Sequence, residues 1–328
     1  MSRALLILLA ALLALMLASL WLGDVHMSMA QFATALTGKG DPAHVLVLSQ
    51  IRLPRTVLAL LTGAGLGASG AALQGYLRNP LADPGIVGIS ASAGLGAVMV
   101  LYFGLAALSF WVLPAAAMAG AGLASLVLLL LARDHASVTS VILGGVALSS
   151  LSVALTALLM NLSPNPWALS EIAYWLMGSV ADRSWAEVAL AAPFILAGIA
   201  VLARSAPALD ALTLGEDAAR SLGVSPGRTG RLVVLGTLLS VGAGVAVAGA
   251  IGFVGLAAPH MLRPFFGARP GRLIVPSALA GAGLLLAADM LARALSGPGT
   301  PLYLGVTTAL LGAPFFLWLV MRQRRMFP

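Results

Sequence analysis

The side chains of this sequence that could do chemistry are few and scattered. Cysteine is absent, and no two of the four histidines stand at the spacing of metal ligands, so neither a thiol nucleophile nor a zinc or haem site is indicated. The single lysine, Lys39, precedes Gly40, whereas a P-loop needs Ser or Thr after its Gly-Lys pair to hold phosphate and magnesium. The sequence therefore predicts a chain with no catalytic residue, no metal site and no cofactor of its own.

One acidic residue, Asp289, lies well inside an apolar segment. A proton-driven carrier is expected to contain a series of buried carboxylates within its membrane helices, and this sequence offers no such series. The sequence therefore does not indicate a proton-driven carrier, and any energy source is expected to be supplied by another subunit.

Three arginines, Arg52, Arg55 and Arg293, stand out by their position. If the apolar segments described below cross a membrane, these arginines lie on the side that carries few other basic residues. Guanidinium groups pair well with carboxylates, so these residues suit the docking of an acidic partner. Snorkelling to lipid headgroups is the alternative for any one of them. Asp289 and Arg293 are four residues apart and share one helix face. An ion pair between them would explain the presence of both charged side chains without a partner protein.

The composition sets the class of protein that must position these residues. The chain has 328 residues, of which 60% are hydrophobic and 9% charged, and its mean hydropathy is +1.02. A soluble domain carries roughly 25% charged residues, so a cytosolic enzyme, a disordered chain and a nucleic-acid-binding protein are excluded. We expect residues 1–328 to form a single all-α polytopic membrane domain.

Ten apolar segments are long enough, or nearly long enough, to cross a bilayer, which takes about 20 residues. The first resembles a signal peptide, but its apolar run is long and no cleavage site follows, so an uncleaved helix is predicted. The predicted spans are residues 4–22, 56–76, 89–108, 114–132, 139–160, 186–203, 232–251, 252–266, 273–293 and 304–321.

The basic residues indicate the orientation of these spans. An even number of spans places both termini on one side, and that side carries thirteen of the 18 basic residues. The positive-inside rule therefore predicts that both termini are cytoplasmic.

The longest strongly polar stretch, residues 205–231, contains helix-capping signals. Thr213 and Glu216 fit a capping box at the start of a short helix, and Gly223 suits a left-handed residue after its end. A second short helix is predicted to begin at Pro226, because proline is favoured at the first helical position. These signals indicate a rigid cytoplasmic protrusion, with an ordinary surface loop as the alternative.

Five stretches of the sequence, in order, resemble the permease subunits of type II ABC importers, the FecCD-like family that imports cobalamin, iron–siderophore complexes and haem. The resemblance runs from about residue 50 to residue 321. The stretches are IRLPRT (51–56), GAALQGYLRNPLADPGIVGISASAG (70–94), LTLGEDAARSLGV (212–224), GAIGFVGLAAPHMLRPFFG (249–267) and GVTTALLGAPFFLWL (305–319).

This resemblance implies a homodimer in the bacterial inner membrane, with ten helices per subunit and a pathway along the two-fold axis. It implies two cytoplasmic ATP-binding cassette subunits, which bind ATP and magnesium, and a periplasmic substrate-binding protein. The cargo would be a metal chelate, with haem or an iron–siderophore complex favoured over cobalamin. An ion-gradient-driven secondary transporter is the alternative, and an intramembrane enzyme is a third class.

The resemblance also implies roles for residues on both faces of the membrane. Arg52, Arg55 and Arg293 match positions that meet glutamates of the binding protein. The segment that contacts the ATPase is expected to comprise Thr213, Leu214, Gly215, Glu216, Asp217, Ala218, Ala219, Arg220, Ser221, Leu222 and Gly223.

Two further sets of residues are implied along the transport route. The fifth span lines the pathway of the family, which makes Ser149, Ser150, Ser152 and Thr156 candidate lining residues, unless they face neighbouring helices. The preceding loop resembles the cytoplasmic gate, which is expected at Ala136, Ser137, Val138 and Thr139. The chain departs from the family before the last helix, where Pro301 and Tyr303 replace the usual Glu and Pro.

Overall fold

The computed structural model describes residues 3–23, 25–132, 138–297 and 301–324, and these residues are predominantly helical. The helices are α1 (Arg3–Trp21), α2 (Met29–Leu36), α3 (Pro42–Leu46), α4 (Leu53–Tyr76), α5 (Ile89–Tyr102), α6 (Val112–Leu131), α7 (Val138–Asn161), α8 (Pro166–Leu176), α9 (Trp185–Arg204), α10 (Ala206–Leu212), α11 (Glu216–Ser221), α12 (Pro226–Thr237), α13 (Ala243–Ala248), α14 (Val254–Phe266), α15 (Pro270–Leu295) and α16 (Leu304–Arg324). Two π-helical turns, Val47–Arg52 and Leu238–Gly242, make α3 continuous with α4 and α12 continuous with α13.

Seven helical segments of the described chain are long and apolar enough to cross a membrane. They are Arg3–Trp21, Pro42–Tyr76, Val112–Leu131, Thr139–Asn161, Trp185–Arg204, Pro226–Ala248 and Pro270–Leu295. The shorter apolar helices α5 and α16 and the proline-containing α14 bring the number to ten. The predicted all-α membrane fold with about ten spans is therefore confirmed.

The polar stretch after the first span contains two short helices. Ser28 and Gln31 form a capping box at the start of α2. Asp41 accepts a hydrogen bond from the backbone N–H of Ala43, and Pro42 is the first residue of α3. Serine and aspartate caps and a leading proline are local start signals, so these helices form although they are too short to be found from hydropathy.

The centre of the molecule is the contact between α4 and α15, where two backbones touch without intervening side chains. A Cβ atom at Gly63 would overlap the carbonyl oxygen of Gly281, and one at Gly67 would overlap that of Ser277. Small residues let membrane helices approach to this distance and gain dispersion contacts along the seam. The spacing of Gly63 and Gly67 thus determines which face of α4 packs on α15.

The same helix also contacts α14. A Cβ at Gly70 would overlap the carbonyl oxygen of Gly255, the second residue of α14. Around these glycine contacts lie fully buried leucines of α4 and α15, including Leu58, Leu73 and Leu285. Helix α4 is therefore the hub of the core.

Hydroxyl groups join helices within the core, as expected where no water can satisfy them. Three such pairs have oxygen–oxygen distances of 2.8 to 3.0 Å: Ser19–Thr56, Ser69–Ser240 and Ser92–Ser152.

Helices α1 and α7 are the least covered of the long spans. Only 11% of the apolar window of α1 and 17% of that of α7 are buried within the chain. Their apolar faces are left for lipid or for another subunit.

Candidate functional site

The end of the α4–α15 pair that is predicted to face the periplasm carries a shared carboxylate. Asp289, whose side chain is 2% exposed, accepts bonds from Nε of Arg55 at 3.1 Å and from Nη2 of Arg55 at 2.8 Å. Arg293 Nε lies 3.1 Å from the other oxygen of Asp289. The sequence predicted the pair with Arg293, and the tertiary structure adds Arg55. Two guanidinium groups around one carboxylate form a charge-assisted cluster that carries a net positive charge.

Arg52 points into the protein rather than toward the outer surface. Its guanidinium donates to the carbonyl oxygens of Leu20 at 2.9 Å, Trp21 at 2.7 Å and Val25, and the residue is 5% exposed. A cation at these carbonyls satisfies the acceptors at the C-terminus of α1 and interacts favourably with its dipole. A direct contact between Arg52 and a docked partner would require these bonds to break.

Arg293 also binds the end of α1. Its Nη2 lies 2.8 Å from Ser19 Oγ, and its Nη1 lies 3.0 Å from the carbonyl oxygen of Leu22. Arg293 therefore joins the last turn of α1 to Asp289 on α15. Of the three predicted docking arginines, Arg55 is the most exposed, with 23% of its side chain accessible.

A cavity of about 580 Å³ opens beside this cluster. Arg55, Arg293 and Tyr303 line it, and the ring of Tyr303 stacks on that of Tyr174 at 5.6 Å with an interplanar angle of 15°. Burial and the neighbouring Tyr174 raise the pKa of Tyr303. The phenol therefore stays neutral at physiological pH and offers stacking and hydrogen bonding rather than charge.

Backbone hydrogen bonds hold the start of α16, which lies beside this cavity. The N–H groups of Leu304 and Gly305 donate to the carbonyl oxygens of Gly178 and Met177, both at 3.0 Å. A Cβ at Gly305 would overlap the Met177 oxygen. The start of α16 is thus fixed to the segment that follows α8, which holds Tyr303 beside Tyr174.

The four candidate lining residues of α7 fall into different environments. Ser152 is buried and bonded to Ser92 of α5, so it serves helix packing, and Ser149 lies against the backbone of Gly88. Ser150 is exposed on the open face of α7. Thr156 lines a largely apolar cavity of about 400 Å³, which makes it the candidate best placed to meet a ligand.

Asp83 lines the same cavity, and reasoning from the sequence missed it. It lies in the loop between α4 and α5, and its Oδ1 accepts a bond from the N–H of Gly85 at 2.8 Å. Burial raises the pKa of the Asp83 carboxyl, and backbone bonds from Gly85 and Leu256 oppose this shift. The bond from Leu256 places the carboxyl at the N-terminus of α14. The Asp-Pro-Gly sequence indicates a turn, but nothing local in it indicates that the turn inserts between helices.

In the segment predicted to be cytoplasmic, the predicted capping box of Thr213 and Glu216 is wrong. Helix α10 continues to Leu212, and the Thr213 hydroxyl donates to the carbonyl oxygen of Asp210 at 2.6 Å. Gly215, with φ of +104°, is instead the N-cap of α11, and Glu216 is its first residue. The hydroxyl of Thr213 is used by the preceding helix and cannot cap the next one.

The predicted end of this helix is confirmed. Gly223 has φ of +79°, its N–H donates to Arg220 at 2.9 Å, and the N–H of Val224 donates to Ala219 at 2.9 Å. These two bonds form a Schellman motif. Pro226 begins α12 as predicted, although α12 continues into the membrane instead of ending as a short helix.

The predicted protrusion around α11 has exposed apolar side chains. Leu214 is 66% exposed and Leu222 is 63% exposed, one at each end of α11. These two leucines at the ends of one short, capped helix are accessible for contact with a partner protein.

The predicted gate is described only in part. Ala136 and Ser137 lie outside the described residues. Val138 is the first residue of α7, and Thr139 follows it with an exposed side chain.

Residues 11–322 match the FecCD transport family. The chain belongs to this family. The match includes both faces described above, and it confirms the resemblance predicted from the five sequence stretches.

Relatives with named functions are similar to nearly the whole chain. The vitamin B12 import system permease protein BtuC of Salmonella typhi is 40% identical over 326 residues, which are 99% of this chain and 95% of that protein. The Fe(3+)-citrate import system permease protein YfmE of Bacillus subtilis is 38% identical over 323 residues, 98% and 96% of the two chains. A metal-chelate type ABC transporter solved in an inward-facing conformation has a TM-score of 0.88 and 33% identity, covering 98% of this chain and 99% of that one.

Proposed function

We propose that this chain is the transmembrane, pathway-forming subunit of an ATP-driven importer that moves a metal chelate from the periplasm to the cytoplasm. The observation that carries the proposal is the capped helix α11, which presents two leucines outside the membrane core and connects to it through α10 and α12. A membrane protein that gains its energy from a partner needs such a rigid contact element. The full-length similarity to import system permease proteins supports the same function.

The proposed partners follow from this function. Two ATPase subunits would bind ATP and magnesium and contact residues Thr213–Gly223. A second copy of the chain would cover part of the open apolar faces, and a periplasmic binding protein would dock on the outer arginines. This arrangement places both termini in the cytoplasm of a bacterium, as the basic residues also indicate.

Docking is proposed to use the arginines in two different ways. Arg55 borders the outer cavity and offers its exposed edge to a partner carboxylate, and Arg293 lines the same cavity. Arg52 would contribute by holding α1, because its guanidinium is directed at the carbonyls of that helix.

The proposed cargo is an iron complex, either haem or an iron–siderophore complex, with cobalamin as the next candidate. The printed functions of the relatives, Fe(3+)-citrate import and vitamin B12 import, support a metal chelate in general. The stacked rings of Tyr174 and Tyr303 at the outer cavity suit a ligand with planar groups.

Reconstitution tests the proposal. The chain is placed in vesicles with its ATPase subunits, and uptake of a radiolabelled chelate loaded on the binding protein is measured with ATP or with a non-hydrolysable analogue. We expect uptake only with the ATPase and hydrolysable ATP. Accumulation by the chain alone under a proton or sodium gradient would instead establish a secondary transporter and overturn the proposal.

A further inference from the structure

We propose that Arg78 and Asp210 are positioning residues that attach the ATPase-contacting segment to the inner ends of α4 and α15, so that these two helices move with it as one body. This inference rests on the proposed function of α11.

Asp210 makes the connection to α15. Its Oδ1 accepts a hydrogen bond from the N–H of Gly271 at 2.8 Å, and Gly271 is the second residue of α15. A carboxylate at this position satisfies a free N–H group and complements the helix dipole. A Cβ at Gly271 would lie 2.6 Å from the carbonyl oxygen of Ala206, so the close approach of α10 to α15 requires glycine here.

Arg78 makes the connection to α4. It lies two residues after the end of α4, and its Nη2 is 3.2 Å from Oε1 of Glu216, the first residue of α11. The other oxygen of Glu216 is 3.4 Å from Arg220 of the same helix. The carboxylate of Glu216 thus bridges α11 and the end of α4.

The backbone of Arg78 gives an independent indication that its side chain matters. Arg78 has φ of +49°, and the N–H groups of Arg78 and Asn79 donate to the carbonyls of Gly75 and Gln74. This is the same Schellman arrangement that ends α11, where the left-handed residue is glycine. An arginine in the left-handed region is strained relative to glycine, so the position retains a side chain at a local cost.

The α4–α15 pair can carry a displacement across the membrane. Its two backbones contact each other at Gly63, Gly67, Ser277 and Gly281 along the seam. At the outer end, the same two helices are joined through Arg55 and Asp289. Movement of α10 and α11 would therefore reach the outer arginine cluster through a unit with little internal freedom.

The decisive variant is Arg78→Gly, because it relieves the backbone strain while removing the ion pair. We expect unchanged or higher thermal stability. The ratio of ATPase activity with loaded binding protein to basal ATPase activity should fall about two- to fivefold, as suits a partly exposed pair. If this ratio stays at the wild-type value in Arg78→Gly, the positioning role of Arg78 is wrong.

A charge exchange separates the pair from general surface charge. Arg78→Glu and Glu216→Arg should each lower the ratio, and the double variant should recover part of the loss and exceed both single variants. It restores the pair between positions 78 and 216, while Arg220 loses Glu216 and keeps Asp217 at 3.1 Å. Arg228→Glu, an equal charge change at another exposed cytoplasmic position, is the control. Failure of the double variant to recover would refute a direct role for the pair.

The Asp210 variants test its role as a hydrogen-bond acceptor separately from its charge. Asp210→Asn keeps an oxygen for the Gly271 N–H and should couple nearly normally, whereas Asp210→Ala should not.

Because the chain has no cysteine, spin labels can be attached at Leu222→Cys and Phe265→Cys, both at exposed positions. We expect a broader distance distribution between them in Asp210→Ala than in Asp210→Asn, and equal distributions would overturn the role of Asp210.

The two levels of the proposal fail differently. If the wild-type complex shows no ATP-driven uptake, the proposed function is wrong. If the wild-type complex transports and the Arg78 and Asp210 variants match it, only the positioning role is wrong.

Discussion

At the scale of single residues, the arginines of the predicted outer surface already bind acceptor groups within the chain. Asp289 is shared by Arg55 and Arg293, and Arg52 is directed at backbone carbonyls of α1 and of the residues after it. Buried charges persist where they are paired and hydrogen-bonded, and each of these meets that requirement. The three arginines therefore differ in how much of their binding capacity remains for docking.

Replacement of Arg52 tests its role as an anchor of α1. Arg52→Ala leaves the carbonyls of Leu20 and Trp21 without this donor, and we expect a loss of about 2–3 kcal/mol in the free energy of unfolding. Arg52→Lys should lose less, because an ammonium keeps the charge but lacks the guanidinium fork. Thermal unfolding in detergent measures both variants, with exposed Arg228→Ala as control, and equal stability of all three would contradict the anchor.

Replacement of Arg55 tests docking without loss of the cluster. In Arg55→Ala, Asp289 keeps Arg293 at 3.1 Å, so the fold should persist. Binding of the periplasmic partner should weaken about five- to tenfold, because a rim charge contributes to encounter and orientation. Surface plasmon resonance measures the affinity, with Arg183→Ala, at another arginine of the predicted outer side, as the control. Unchanged binding by Arg55→Ala would show that Arg55 is not part of the docking surface.

At the scale of elements, two local features determine where helices contact each other and where α11 begins and ends. Glycines place α4 directly on α15 and α14, and a glycine N-cap and a Schellman motif define the two ends of α11. The first device makes a close seam inside the membrane. The second makes a short helix of fixed length outside it.

A methyl group in the seam tests its packing. Gly67→Ala would force a Cβ against the carbonyl oxygen of Ser277, and we expect destabilisation of about 1–3 kcal/mol or more. Gly122→Ala is the matched control, because that α6 glycine has open space around its Cβ direction, and alanine favours a helix there by about 0.5–1 kcal/mol. Unfolding temperatures in detergent distinguish the two, and equal values would contradict the close contact of α4 with α15.

Proline substitution tests α11 as the coupling element. Glu216 is its first residue, where proline is tolerated, so a break must be placed later. Ala219→Pro removes the hydrogen bond to Gly215 at 3.0 Å and should abolish ATP-coupled uptake while the protein remains in the membrane. Ala218→Pro, one residue earlier in the first turn, should have a much smaller effect, and normal uptake by Ala219→Pro would eliminate α11 as the coupling element.

At the scale of the whole molecule, one central pair of helices connects the two faces. The outer ends of α4 and α15 meet at Arg55 and Asp289, and their inner ends meet the α10–α11 segment at Arg78 and Asp210. The peripheral helices α1 and α7 leave apolar faces open. The architecture is a close-packed core with uncovered flanks, as suits a subunit of a larger membrane complex.

Single cysteines test the orientation of the chain. Cysteines at Lys39 and Trp167 should react with a membrane-impermeant maleimide in intact spheroplasts, because these exposed positions lie on the predicted outer side. Cysteines at Leu222 and Phe265 should react only after permeabilisation. The cysteine-free background removes competing sites, and the reverse pattern would show that the termini are outside.

The sequence by itself determined the number and approximate bounds of the spans, the direction of the charge bias and the left-handed end of α11. Each depends on signals within a few residues, such as hydropathy, basic residues near helix ends, or a glycine after a helix. Only the tertiary structure decided that Arg52 anchors α1, that Arg55 shares Asp289, that Asp83 reaches the start of α14 and that Thr213 serves the helix before it. The first three outcomes depend on which atoms meet across tens or hundreds of residues of chain, and residue spacing carries no record of that. The Thr213 bond spans three residues, and it was decided by how far α10 continues.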